Sequence, residues 1–224
     1  MEVEFENGPA FTIAVTRLAG GEKLRAEGGA MISMTTGTQI ETSTQGGIFK
    51  GLKRSISGES FFMNMFTAPP SGGEILLASS LPGDMTSIDL HNETWLFHRD
   101  GFIASEQGID LDTRWGGLKG AFGASSFFVV KCSGTGKAIV ATYGALRRID
   151  LQPGQQYTVD SGHLVAWPEN LPIQVQKIGG LKSLFLSGEG FVVTLTGPGT
   201  FYMQTRSEAA LVNWLIPLLP KSGN

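Results

Sequence analysis

Short apolar runs separated by glycine turns make up most of this chain. Phe11 to Val15 alternates and reads as a strand, Lys23 to Ala26 as a second, Ala30 to Met34 as a third, and Thr38 to Thr44 as a polar, alternating fourth. Glycine-rich turns at Gly20-Gly21, Gly28-Gly29 and Gly46-Gly47 separate them. A run of aromatic and sulfur side chains, Phe61 to Phe66, follows a basic glycine-rich segment. Alternation puts Phe61, Met63 and Met65 on one face and Phe62, Asn64 and Phe66 on the other. Both faces are apolar apart from Asn64, which predicts a strand buried on both sides, in a core or at a subunit interface. A pocket for an apolar ligand is the functional alternative for such a methionine-rich run. Pro69 to Gly73 is a turn, Glu74 to Ala78 a strand, and Leu81 to Asp84 a further turn.

From there the pattern recurs. Ile88-Asp-Leu90 returns as Ile149-Asp-Leu151, and the same shift carries Leu96 onto Tyr157, Gly101 onto Gly162, and Ile103-Ala104 onto Leu164-Val165. Leu18, Leu24 and Gly29 hold the same relative places as Leu151, Tyr157 and Gly162. Gly51-Leu-Lys53 returns as Gly117-Leu-Lys119 and Gly180-Leu-Lys182, and Ser60-Phe-Phe62 as Ser126-Phe-Phe128 and Gly190-Phe-Val192. The turns Gly72-Gly73, Gly134-Thr-Gly136 and Gly197-Pro-Gly199 each lead into an apolar strand. The expectation is a single all-β domain of three internal repeats, spanning about 11–78, 79–141 and 142–206. A unit with one apolar sheet face cannot bury it alone, so three such units share a core about a pseudo-threefold axis.

The end of the chain reads differently. Ser207 is a good N-cap and Glu208 suits the first turn of a helix. Ala209 to Ile216 then predicts a short helix stopped near Pro217, within a C-terminal segment of about 207–220. It is apolar on nearly every side and needs a cover, from this chain or from a neighbour. It lacks the basic polar face of a membrane-surface helix, so docking on protein is favoured. Phe62, Met63, Met65, Phe66 and Trp214 are the candidate interface residues.

Composition narrows the function. The 31 glycines among 224 residues fit many turns between strands. A net charge of −3 disfavours an extended nucleic-acid surface, although a local basic patch remains open. The lone Cys132 excludes an intrachain disulfide and lies in a strand-like run, where a structural thiol is expected. The acidic start of the chain lacks the features of a secretory signal or transit peptide, and no apolar run is long enough to span a bilayer.

No catalytic set assembles. His91, His98 and His163 have no ligand-like spacing, although His98 and His163 fall at related edges. Gly58-Glu-Ser-Phe61 lacks the closing glycine of a nucleophile elbow. Asp110 and Asp112 share one face of a strand, as the solvent side of a half-buried element. Lys50, Lys53 and Arg54 sit among glycines, and Lys119 and Lys182 repeat Lys53. Backbone amides and lysines of this kind can hold an anion or a nucleic-acid backbone, but the Walker spacing is absent. A solvated loop lysine repeated with its unit is the simpler reading.

The segments Gly28 to Ile32, Gly51 to Asn64, Gly101 to Ala104 and Gln204 to Arg206 resemble the domain-of-unknown-function family related to the fungal "altered inheritance of mitochondria" protein. The resemblance spans essentially the whole chain. It implies three tandem β-units, each like a subunit of the tryptophan RNA-binding attenuation protein, a short variant of the double-stranded β-helix or β-sandwich. It implies mitochondrial biogenesis for the fungal members. Without a transit peptide, a prokaryotic cytoplasmic member is expected. The family carries no catalytic residues onto this chain, and its kinship to an RNA binder is analogy of fold. The expectation is a non-catalytic β-protein without cofactor or metal that self-associates as a homo-oligomeric scaffold. An anion- or RNA-binding module at Lys50, Lys53, Arg54, Lys119 and Lys182 is the alternative, and a cupin-like metalloenzyme the last.

Overall fold

The computed structural model describes residues 1–43, 63–112, 129–177 and 191–220. It is almost entirely β, with one short helix near its end. The strands are β1 (Glu2–Glu6), β2 (Ile13–Leu18), β3 (Lys23–Glu27), β4 (Met31–Met34), β5 (Gln39–Ser43), β6 (Met63–Thr67), β7 (Gly73–Leu77), β8 (Met85–His98) and β9 (Phe102–Glu106). They continue as β10 (Ile109–Asp112), β11 (Val129–Ala141), β12 (Leu146–Leu151), β13 (Gln156–Asp160), β14 (Leu164–Pro168), β15 (Ile173–Lys177), β16 (Phe191–Thr196) and β17 (Gly199–Gln204).

One set of antiparallel pairings occurs three times. In the first segment β2 pairs β7, β3 pairs β6, β4 pairs β7 and β5 pairs β6. In the third, β12 pairs β17, β13 pairs β16, β14 pairs β17 and β15 pairs β16. The second runs its strands together. The two halves of β8 pair the two halves of β11, with a bulge at Gly134/Thr135, while β9 and β10 pair the remaining edges of β11. The register makes Gly73, Gly136 and Gly199 equivalent, because they oppose Leu18, Leu90 and Leu151. At Gly136 φ is +143°, a backbone conformation that disfavours any side chain, and an added Cβ would also displace the Glu106 carboxylate, whose oxygen would lie 2.7 Å away.

The pairing corrects part of the alignment expected from sequence. The short helical turns Arg99–Gly101 and Ser161–His163 both lead into a strand, so Phe102 matches Leu164 and Gly101 matches His163. Leu96 consequently matches Thr158 rather than Tyr157. Four residues, 152 to 155, separate β12 from β13, whereas three, 91 to 93, cross the corresponding point inside β8. That one-residue difference slips the matches of Leu96, Gly101 and Ile103-Ala104.

The segments are joined by strand pairing. β9 adds to the free edge of β3, with Leu24 opposite Glu106 and Ala26 opposite Ala104. β14 adds in the same way to the second half of β8, with Trp95 opposite Pro168 and Phe97 opposite Ala166. A single sheet thereby runs β12-β17-β14-β8-β11-β9-β3-β6-β5, with β10 also on β11. The buried side chains form three clusters, one centred on each segment, and Ile103, Ala104 and Ile139 of the second segment enter the first cluster. Burying one such side chain is worth about 1.5–3 kcal/mol, against about 0–1 kcal/mol for a surface ion pair, so these junctions are part of the core.

One element departs from expectation, and the predicted C-terminal helix is present. β1 lies in the acidic start of the chain, where no strand is predicted. Its register with β2 alternates Val3 and Phe5, packed on the first cluster, with glutamates outside. The helix α1 (Glu208–Leu215) begins where Ser207 Oγ accepts the Ala210 N–H at 3.3 Å, and a further turn, Ile216–Leu218, contains Pro217.

Candidate interaction site

The five basic candidates, Lys50, Lys53, Arg54, Lys119 and Lys182, lie outside the described residues, as does Phe62. The other interface candidates separate. Met63 and Phe66 are buried in the first two clusters, on opposite faces of β6. The two-sided burial expected of this strand is present, but this chain supplies the cover itself, which removes both residues from any interface surface. Met65 is half-buried. Trp214 is 65% exposed.

Trp214 belongs to a larger apolar surface. Val212, Leu215, Ile216, Leu218 and Leu219 are also exposed, and no residue of α1 is buried. The helix starts from a well-made corner. Gln204 is buried, donates from Nε2 to the Gly162 carbonyl at 3.0 Å and accepts the Tyr143 N–H at 2.9 Å. Thr205 Oγ1 accepts the Ala145 N–H at 2.9 Å, and the Arg206 N–H donates to the Tyr143 carbonyl. Buried polar groups need such partners, and Gln204 to Arg206 are thus a structural clamp. The clamp fixes the root of α1 beside the turn that follows β13, where Gly162 approaches Ser207.

The histidines do not form a centre. His91 is exposed. His98 ends β8, 3.8 Å from Asp100, and burial pushes its pKa down despite that carboxylate. His163 Nδ1 lies 2.8 Å from the Gln204 carbonyl oxygen. Among the described residues no three His, Cys, Asp or Glu side chains are grouped to hold a metal. Cys132 is fully buried, and burial drives its thiol pKa up, as a structural cysteine requires. Asp110 faces solvent between buried Ile109 and Leu111, as alternation predicted.

Sheet edges are a feature that sequence reading did not reveal. β9 is paired on both sides, by β11 and β3, and β14 likewise by β17 and β8. Their counterpart in the first segment, β4, pairs only β7 among the described residues. Conversely β3 and the second half of β8 are paired on both edges, whereas β13 pairs only β16 among them. The exposure follows. Ile103 and Val165 are each 1% exposed, and the matching Ile32 is 53% exposed.

The family model for mitochondrial biogenesis AIM24 matches residues 3–206 of this chain. The chain belongs to that family. An uncharacterised protein of Streptococcus pyogenes serotype M6 is 25% identical over 233 residues, covering 100% of this chain and 93% of its own length. A crystal structure of another S. pyogenes protein superposes with a TM-score of 0.81 at 23% identity, covering 97% of this chain and 99% of that one. The fold is therefore shared with that protein across nearly the full length. Among the described residues no helix is long and apolar enough to cross a membrane.

Proposed function

We propose that this AIM24-family chain is a non-catalytic, cytoplasmic interaction module that self-associates as a scaffold. Its three segments are read as units of the kind that build the tryptophan RNA-binding attenuation protein, set about a pseudo-threefold axis. The carrying observation is the apolar surface of α1 and the turn after it, from Val212 to Leu219, with Trp214 at 65% exposure. A contiguous patch of this kind on a soluble protein marks a binding surface. Trp is the side chain that contributes most when such a patch is covered.

The test is the mass of the full chain in solution, by sedimentation and native mass spectrometry over a wide concentration range. A concentration-dependent oligomer is expected, and Trp214→Ser together with Ile216→Ser should weaken it at least tenfold. A monomer throughout would overturn the reading. So would a monomer that binds lipid vesicles through the same two residues, because the patch would then be a membrane contact.

A further inference from the structure

No residue of α1 is buried, and a cleft opens between the helix and the body of the protein. Leu211 and Trp214, three residues apart and so on one face of the helix, form one wall. Tyr143, His163 and Arg206 belong to the body and line the same space, which has a volume of about 360 Å³. We infer that this cleft binds a small aromatic carboxylate. Arg206 and the Tyr143 hydroxyl hold its anionic group, and Trp214 and Leu211 cover its ring.

Four observations support this ligand. First, the volume lies at the small end of the range for ligand pockets, about 300–1,000 Å³. Second, the charge is one-sided. No carboxylate lines the cleft among the described residues, so its one permanent charge is the Arg206 guanidinium. Glu208, the acidic residue of the helix, is turned to Gln204 Nε2 at 3.5 Å. Among the described residues the Arg206 guanidinium and the Tyr143 hydroxyl have no partner, so both are available to donate. The planar fork of an arginine matches the two oxygens of a carboxylate.

Third, these donors are held in place by the backbone and not by each other's side chains. The Arg206 N–H donates to the Tyr143 carbonyl at 3.2 Å, and the Tyr143 N–H donates to buried Gln204 Oε1 at 2.9 Å. The Arg206 stem lies on Gly144, where an added Cβ would come 2.8 Å from its Cγ. His163 is fixed as a further wall, because its Nδ1–H donates to the Gln204 carbonyl at 2.8 Å. A site arranged before the ligand arrives loses less on binding. Fourth, the apolar side is aromatic. Trp214 is 65% exposed and shares the cleft with the Tyr143 ring, and aromatic faces favour a flat partner.

The site is complete within one chain and does not rest on self-association. A ligand-observed NMR titration of the full chain with 2-naphthoate tests it. Binding is expected with a Kd of about 1 mM or tighter. The neutral isostere 2-naphthamide should bind at least tenfold more weakly, and octanoate, an anion without a ring, should bind at least fivefold more weakly. Arg206 is exposed, so Arg206→Gln removes the charge from a folded protein. That variant should weaken 2-naphthoate at least tenfold and leave 2-naphthamide unchanged. Tyr143→Phe should weaken 2-naphthoate about threefold, as loss of one hydrogen bond does. Equal affinity for the acid and the amide, or 2-naphthoate binding indifferent to Arg206→Gln, would overturn the site. Octanoate as tight as 2-naphthoate would overturn the aromatic assignment, and no binding would overturn the whole. Arg206 lies outside the patch from Val212 to Leu219, so Arg206→Gln should leave the oligomer mass unchanged. The ligand site and self-association therefore fail separately.

Discussion

Ile103 and Ile32 occupy the same place in two copies of one structural pattern. Ile103 sits on a strand with neighbours on both edges and is 1% exposed, whereas Ile32 sits on a strand with one neighbour among the described residues and is 53% exposed. The residue type, the strand and the irregular pairing are alike, so the difference comes from position in the series. What a β-unit buries here is decided by whether another unit follows on its edge. A strand of this family is therefore core or surface according to its neighbour, and the terminal units carry the unmet demand.

The largest effect separates these two residues. Ile103→Ala removes methyl groups from a packed site and should cost about 2–5 kcal/mol of unfolding free energy. Ile32→Ala should stay within about 0.5 kcal/mol when measured on dilute monomer, as surface changes do. Chemical denaturation of both variants checks this. Equal losses would mean that Ile32 is covered inside the single chain, and the contrast would collapse.

A second effect concerns the covered edge of β3, which ends at Glu27. Burial raises the Glu27 carboxyl to about 7, and the nearby Asp100 pushes it the same way, with Arg99 opposing. Arg99 and Asp100 come from the turn before β9, so the next segment creates this environment. In the unfolded chain the group titrates at its ordinary carboxylate value. Between that value and about 7 the folded protein holds a proton that the unfolded chain has lost. Stability contributed by this group is therefore full below the ordinary value and falls as pH rises through the folded one. A loss of about 1–3 kcal/mol is expected across the window. Glu27→Gln should flatten that part of the pH profile. On β13, which pairs only β16 among the described residues, the matching Asp160 instead accepts the Gly162 N–H at 2.8 Å. An unchanged slope in the Gln variant would show that the junction does not bury the carboxyl.

Much of this architecture can be read from the chain before folding is considered. Glycine turns and alternating runs locate β2 to β7, because a tight turn needs glycine and a half-buried strand needs period two. The equivalence of Gly73, Gly136 and Gly199 follows from the same signal. β1 carries the alternation of Val3 and Phe5 with glutamates, but two apolar positions among three carboxylates are too few to mark a strand without its partner β2. The slip between Leu96 and Tyr157 arose because a one-residue change of turn length leaves no trace in residue type. Met63 and Phe66 illustrate a limit of pattern. Alternation places them on opposite faces but cannot say whether this chain or another supplies the cover. The edges of β4 and β13 were not legible at all, since pairing between distant strands is a property of the assembled sheet.

The smallest expected effect tests whether surface charge contributes to a junction. Lys131 lies on β11 and Glu169 follows β14, and their side chains meet at 2.7 Å across the joint between the second and third segments. Both are partly exposed, so the attraction is screened by water and salt and offset by the cost of ordering two long side chains. Lys131→Ala should cost about 0.2–1 kcal/mol, less at high salt. Backbone pairing of β14 on β8 and the packing of Trp167 and Leu96 already hold this joint. A double-mutant cycle with Glu169→Ala isolates the pair from that background. A coupling well above 1 kcal/mol would show that charge helps select which edge a unit joins. A coupling near zero leaves strand pairing and apolar burial as sufficient for the internal joints.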